Sequence, residues 1–300
     1  MKMDKTLADK EPTFVLGLKK STIQLLRFHF SFFLMPVYWF ALSQVPSIDW
    51  TNAIFIFLIL HVLVYPSSNG YNSYMDRDET PIGGLKKPSL PTRQLYDVCF
   101  AMDMLAIVLG FVISIYFAVG IFAYILASRA YSSRSIRLKK MTWIGYLTVI
   151  FFQGAVSFFL VYHGSDTHKT LHAPVPAMLA SSLLIGGFYP LTQIYQHVAD
   201  LLDGVKTVSY RLGYRGTFIF SLIMYCLAFG SLAYYFFSSL EGKEFVVLAT
   251  CMLPVLVYFF IWAARVWKDT SQANFENTMR MNLLASSCSN LGFIVVLLMR

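Results

Sequence analysis

Charge is scarce in this chain. Only 13% of its 300 residues are Asp, Glu, Lys or Arg, where soluble proteins carry about 25%. With 57% hydrophobic and 17% aromatic residues, a water-soluble globule is excluded. Cysteine is sparse too: Cys99, Cys226, Cys251 and Cys288 lie scattered in apolar segments without a close pair. That spacing excludes a disulfide framework and a thiolate metal site, and it marks the four as small core residues. No low-complexity segment or soluble insertion interrupts the apolar runs. Residues 1–22 lack a short apolar core and mix Lys2, Asp4, Lys5, Asp9, Lys10 and Glu11, so they read as a polar tail. Ala41-Leu-Ser43 resembles a signal-peptide cleavage site, but the run before it is long enough to span a membrane.

What the chain does have is apolar length. Runs at roughly 26–45, 52–70, 95–113, 114–130, 142–162, 174–195, 216–237, 244–264 and 280–299 predict nine transmembrane helices. The weakest division, between the third and fourth runs, is expected near Gly120. An independent check comes from lysine and arginine, which concentrate in cytoplasmic loops. With the N-terminus inside, all of the 24 basic residues except Lys169, Lys243 and Arg300 fall on the inner side. The net charge of +8 is therefore a consequence of topology, and a nucleic-acid partner is not implied. The expected architecture is an all-α integral membrane protein, a single nine-helix domain over 23–300 around a central cavity. Without a long targeting segment, a bacterial inner membrane is the expected location, with the N-terminus and acidic loops cytoplasmic.

The few acids are not spread evenly. After the second run stands Asn72-x-x-x-Asp76, followed by Asp78 and Glu79; after the sixth stands Gln196-x-x-x-Asp200, followed by Asp203. Residues four apart share one helix face at about 6 Å, so each pair can aim two oxygen ligands at a common cation. Carboxylate and amide oxygens suit Mg2+, which keeps several waters and reaches protein through one or two carboxylates plus substrate phosphates. Arg77, Lys86 and Lys87 follow the first cluster and Lys206 the second, where they can neutralise phosphate charge. For a single loop of this kind, helix capping in a solvated turn is the simpler account; two such loops favour a Mg2+ and diphosphate site. A third inner loop, with Tyr131, Ser132, Arg134, Arg137, Lys139 and Lys140, offers cations and hydroxyls. Alone it is the ordinary excess of inner positive charge, and beside the acid clusters it reads as a diphosphate clamp.

These residues resemble those of the UbiA-type intramembrane aromatic prenyltransferases, whose motifs run Asn-x-x-x-Asp-x-x-x-Asp after the second helix and Asp-x-x-x-Asp-x-x-x-Gly after the sixth. Asn72-Ser-Tyr-Met-Asp76-Arg matches the start of the first motif, and Asp200-x-x-x-Gly204-x-x-Thr207 the end of the second. Lys87-Pro88 resembles the basic-Pro step that follows, and Tyr131-Ser132 with Arg137 or Lys139 the diphosphate-contacting loop. Two positions depart from the pattern, Thr80 and Gln196, each standing where the family has Asp; Asp78, Glu79 and Asp203 are the candidate substitutes. The resemblance implies Mg2+-dependent transfer of an isoprenoid chain from a polyprenyl diphosphate to a lipophilic, aromatic acceptor. Metal ligands would be drawn from Asn72, Asp76, Asp78, Glu79, Gln196, Asp200 and Asp203, of which Asn72, Asp76, Asp200 and Asp203 are the catalytic candidates. Arg77, Lys87, Tyr131, Ser132, Arg137, Lys139 and Lys206 would hold the diphosphate.

Tyr71, Tyr74, Tyr189 and Tyr195 are candidates to favour an allylic cation through their ring faces. Among 27 Phe and 18 Tyr, bilayer packing is the commoner role. Asp103, Gln153, Asn282 and Asn290 are polar at membrane depth and are functional candidates on that ground. Arg27 and His29 suit either a cavity or headgroup anchoring, and His197 either a base or a packed residue. Two rival readings remain: a small-molecule transporter, which the clustering of acids on one face opposes, and a non-catalytic membrane scaffold, which Thr80 and Gln196 allow.

Overall fold

The computed structural model describes residues 17–300. Eight of its helices are long and apolar enough to cross a membrane, and a bent pair, Lys20–Phe33 with Met35–Gln44 at 44°, makes up to nine. The elements are α1 (Lys20–Leu26), α2 (Met35–Gln44), α3 (Trp50–Asp76), α4 (Arg93–Ile113), α5 (Ile115–Ser132), α6 (Thr142–Ser165), α7 (Val175–Gln193), α8 (His197–Leu202), α9 (Val208–Ser238), α10 (Gly242–Lys268) and α11 (Phe275–Met299). Large apolar side chains point outward along them, among them Ile54, Val108, Val112 and Tyr234. That surface is stable only against lipid, so the protein is an all-α integral membrane protein.

Three boundaries differ from expectation. The first span is broken: Arg27 closes α1 in the left-handed region (φ 49°) and a 3-10 segment, Phe28–Phe33, leads into α2. The tail boundary at residue 22 falls inside α1; residues 1–16 of that tail lie outside the described residues. The third and fourth spans divide at Ser114, where the runs 95–113 and 114–130 meet, and not at the weak break expected near Gly120. Ser114 is extended, and its hydroxyl accepts from the Phe117 N–H at 3.0 Å, which satisfies an otherwise orphaned donor at the start of α5. Gly110 makes the tight return possible, because a Cβ there would stand 3.1 Å from the Ala118 Cα.

The chain clusters into two compact units: residues 17–31 with Leu58–Arg137, and Phe32–Phe57 with Leu138–Arg300. In the first, Leu25, Leu26, Tyr71, Ile82, Leu95 and Cys99 form a core that joins α1, α3, α4 and the 77–92 loop. Arg27 donates to the Gly83 and Asn69 carbonyls at 3.3 and 3.1 Å, and His29 Nε2 pairs with the Gly84 carbonyl at 3.1 Å. They tie the glycine turn of that loop to the helices. In the second unit, Leu191, Phe218, Met252, Phe259, Trp262 and Met281 anchor the core of α7, α9, α10 and α11.

Two of the long helices, α3 and α6, carry a π turn. In α6 it spans Phe151–Val156, includes Gln153, and abuts α7 where a Cβ on Gly154 would stand 2.4 Å from the Ser182 Cα. The wider turn frees the Ala155 N–H, which Ser182 Oγ accepts at 3.0 Å. In α3 the π turn spans Ile59–Val64, directly before Pro66. A proline there removes a donor and crowds the preceding turn, and beyond it the helix runs on to present Asn72 and Asp76 at its end.

Candidate functional site

The first unit gathers an acid, two amide contacts and two guanidinium groups at the end of α3. Asn72 Nδ2 donates to Asp76 Oδ2 at 2.8 Å, as a four-residue helical spacing allows, and also to Ser132 Oγ at 3.1 Å. Both amide hydrogens are thereby used, so the Asn72 oxygen is the atom left to face a cation. Arg137 Nη2 lies 3.7 Å from Asp76 Oδ1, with both side chains nearly buried. Burial and the neighbouring Arg134 push the Arg137 guanidinium down from its ordinary value, while Asp76 and Asp78 oppose them; it remains a cation at any working pH.

Arg134 caps α3 from another segment, donating through Nε to the Met75 carbonyl at 2.8 Å and through Nη2 to the Asp76 carbonyl at 3.3 Å. Orphaned carbonyls at a helix C-terminus attract such a cation. Arg77 takes the left-handed cap position (φ 55°) and is exposed, as are Glu79, Lys86 and Lys87. Asp78 and Tyr131 are half-buried. The structure thus brings Asn72, Asp76, Ser132 and Arg137 together, and it leaves Arg77, Glu79 and Lys87 at the surface.

Beside this group is an ion pair that the sequence did not announce. Asp103, in the middle of α4, accepts from Arg129 Nε at 2.8 Å, is also bound by Arg129 Nη2, and accepts from Ser67 Oγ at 2.7 Å. Arg129 Nη2 also donates to Ser67 Oγ at 2.6 Å, and its guanidinium lies 4.1 Å from the Tyr71 ring centroid. Asp103 is therefore bonded within the helix bundle, and a cation already covers one face of Tyr71. The general rule that an intramembrane carboxylate needs a cationic partner was the available signal for Arg129.

In the second unit Gln196 precedes the short α8, Asp200 lies within its first turn, and Asp203 and Gly204 (φ 69°) follow it. Lys139 Nζ lies 3.9 Å from Asp203 Oδ2. Lys206 contributes its carbonyl, which accepts from Thr142 Oγ1 at 2.5 Å, while its side chain is exposed; Arg211 Nε donates to the same Thr142 oxygen at 2.8 Å. Tyr189 stacks on Tyr146 at 6.4 Å, and Tyr195 meets Phe275 edge-on at 5.3 Å. Among the described residues, no three His, Cys, Asp or Glu side chains converge as a metal cage. The donors near each acid are carboxylate and amide oxygens beside cationic side chains. This set fits a hard dication that keeps its waters and shares phosphate ligands.

His197 is a packed residue in this arrangement. Its ring is 6% exposed, stacks on Tyr214 at 4.8 Å, and shares a hydrogen bond with Ser209 Oγ at 2.8 Å. Burial pulls its pKa down to about 4, so it stays neutral in the fold while the unfolded chain takes up a proton near 6.5. Stability is complete above pH 6.5 and falls by about 3 kcal/mol as pH drops from 6.5 to 4. In thermal unfolding across that window, His197→Gln is expected to show a flatter profile; a variant that tracks the wild type would remove His197 from the account.

A model of the UbiA prenyltransferase family matches residues 32–284. No curated protein matches the chain in sequence. Among solved structures it is similar to a UbiA homologue from Archaeoglobus fulgidus bound to DMAPP and Mg2+, with TM-score 0.68, 18% identity, and coverage of 93% of this chain and 99% of that one. The apo UbiA homologue from Aeropyrum pernix K1 gives TM-score 0.69 and 18% identity over 90% of this chain and 98% of its own. A digeranylgeranylglyceryl phosphate synthase gives TM-score 0.60 and 18% identity over 94% and 99%.

Proposed function

Because the chain belongs to the UbiA prenyltransferase family, we propose that it transfers a prenyl group from a polyprenyl diphosphate to a lipophilic, aromatic acceptor with the help of Mg2+. The observation that carries this reading is the Asn72–Asp76 hydrogen bond at the end of a membrane-spanning helix, with the Arg137 guanidinium 3.7 Å from the same carboxylate. An archaeal relative of the same fold holds DMAPP and Mg2+, and another structure of it holds GPP and Mg2+. In this chain Asn72 and Asp76, supported by Asp78, would hold the metal in the first unit, and Asp200 and Asp203, supported by Gln196, in the second. Bound there, Mg2+ neutralises the diphosphate and stabilises it as a leaving group.

The chain's own residues do the rest. Arg137 and Lys139 balance the remaining phosphate charge, and Ser132 keeps Asn72 turned toward Asp76. The C–O bond of the donor breaks, the acceptor attacks the allylic carbon, and the acceptor loses a proton. Half-buried Tyr74 and Tyr189 are the aromatic candidates for shielding the allylic centre from water. The excess of Lys and Arg in the loops on that side supports a cytoplasmic placement of the acid-bearing ends. A non-catalytic scaffold is the second reading, and Thr80 and Gln196, standing where the family pattern has Asp, favour it.

Purified protein in detergent, given geranyl to longer prenyl diphosphates and a panel of phenolic acceptors, is expected to release diphosphate with Mg2+ and to stop with chelator. A prenylated product detected by mass identifies the acceptor class. Silence across all donors, in protein that unfolds cooperatively on heating, would instead support the scaffold.

A further inference from the structure

In the second unit, cations gather where α9, α10 and α11 meet beside the acid-bearing turn, an end marked by the Tyr195–Phe275 contact. Topology accounts for basic residues at such an end, but not for their arrangement. Arg93, Arg129, Arg137 and Lys139 are each matched by a carboxylate. Arg215, Arg265, Lys268 and Arg280, all exposed, form no ion pair among the described residues.

Two of the four converge. Arg280, on α11, donates to the Tyr258 phenol, and the charge of Arg265, two turns after Tyr258 on α10, acts on the same group. Arg215 reaches this corner from α9: its Nη2 donates to the Trp267 carbonyl at 2.8 Å, and Lys268 is the next residue. Guanidinium groups gathered without a carboxylate repel one another. A phosphate between them removes that repulsion through charge-assisted, bidentate hydrogen bonds. Of the nearby acids, Asp269 takes the Ser271 N–H at 2.9 Å and its hydroxyl at 2.6 Å, and Glu276, one turn before Arg280, is a single carboxylate beside four cations.

The surface below these cations identifies what would carry the phosphate. Counting back from Arg265 in steps of four, Ile261, Val257 and Leu253 continue its face of α10, and Leu283 and Leu291 continue that of Arg280 on α11. All five are large apolar residues left exposed, a surface stable only against acyl chains. Trp267 is exposed beside the cations, where indole rings anchor at headgroup level. We propose that this corner of α10 and α11 binds an anionic phospholipid, its phosphate held between Arg265 and Arg280, its chains along the two apolar faces, and Arg215 and Lys268 adding positive charge nearer the water. A free phosphate would use the cations and leave the apolar faces idle. The inference is independent of the prenyl-transfer reading, since it involves neither acid cluster.

The test titrates dioleoylphosphatidylglycerol and dioleoylphosphatidylcholine, matched in their acyl chains, into the delipidated full chain in neutral detergent without Mg2+ or diphosphate, and follows bound lipid by native mass spectrometry. The anionic lipid is expected to bind about 10- to 30-fold more tightly, and each cation removed should cost about 5-fold. Arg265→Gln and Arg280→Gln should each lower that preference, and the pair should bring it toward one, with phosphatidylcholine binding unchanged. Arg93→Gln, which removes an exposed cation paired with Asp97 in the first unit, should leave it intact. Inorganic phosphate should not displace the lipid. Equal binding of the two lipids by the wild type, a preference that survives both substitutions, or an equal loss in Arg93→Gln would each overturn the proposal. Displacement by inorganic phosphate would also overturn it, in favour of a site for free phosphate. The single variants decide the matter even if the double variant fails to fold. Diphosphate release, measured separately, reports on the other reading alone.

Discussion

Replacement of Asp76 by Asn is expected to lower Mg2+-dependent diphosphate release by about 10²- to 10³-fold, the cost typical of removing one group that stabilises transition-state charge. Asn is nearly isosteric with Asp and can keep a hydrogen bond to Asn72, now 2.8 Å away; what it loses is the negative charge that a cation needs. Asp76→Ala removes both, and it leaves Arg137, 5% exposed, beside Arg134 with less compensation. The alanine variant should therefore also melt earlier, whereas the asparagine variant should melt close to the wild type. Asp200→Asn should show the same loss of release if the second acid cluster serves the diphosphate too. Kinetics at saturating and limiting Mg2+ separate the cases: a ligand variant needs more Mg2+, and a merely destabilised one does not. Full activity in Asp76→Asn would remove this carboxylate from the metal site.

Much of this was written in local sequence pattern, and the misses share a cause. Apolar run length carried the spans, because a helix must satisfy its backbone internally across about 30 Å of hydrocarbon. The contact between Asn72 and Asp76 follows from helical periodicity alone. Ser132 and Arg137 were singled out by the loop's resemblance to a diphosphate-contacting segment, but nothing local announced that both would lie beside these two side chains. The runs 95–113 and 114–130 meet at Ser114, whereas Gly120 marks no break: glycine is tolerated within membrane helices, and the hydroxyl cap that starts the next helix depends on a single side chain. Arg27 and His29 were read as suiting a cavity or headgroup anchoring and Arg134 as part of a diphosphate clamp; in the fold Arg27 and Arg134 donate to carbonyl groups of distant segments and His29 pairs with another. Likewise Asp103 and Arg129 lie 26 positions apart on different helices. Such partners are fixed by tertiary packing, and a local pattern does not encode them.

That buried pair carries the second large expectation, on stability. Asp103→Leu should destabilise the protein by about 3–5 kcal/mol, because it leaves the Arg129 charge inside the bundle without its partner. The carboxylate is 5% exposed and the guanidinium 19%, so water relieves little of that loss on the aspartate side. The Asp103→Leu/Arg129→Met double variant should recover most of the stability, since removing both charges also removes the cost of desolvating them. Ser67 makes the distinction sharper: it bonds both members of the pair at 2.7 and 2.6 Å, and Ser67→Ala should therefore cost only about 1 kcal/mol. Denaturation in detergent, followed by tryptophan fluorescence, measures all four proteins. If the double variant is stable but inactive, the pair's importance lies in what Arg129 holds: it covers the Tyr71 ring at 4.1 Å, and Tyr71 adjoins Asn72 on α3. Arg129 also stands one turn before Ser132 on α5, the residue whose hydroxyl accepts from Asn72 at 3.1 Å. A stable and fully active double variant would assign Asp103 and Arg129 to the scaffold alone.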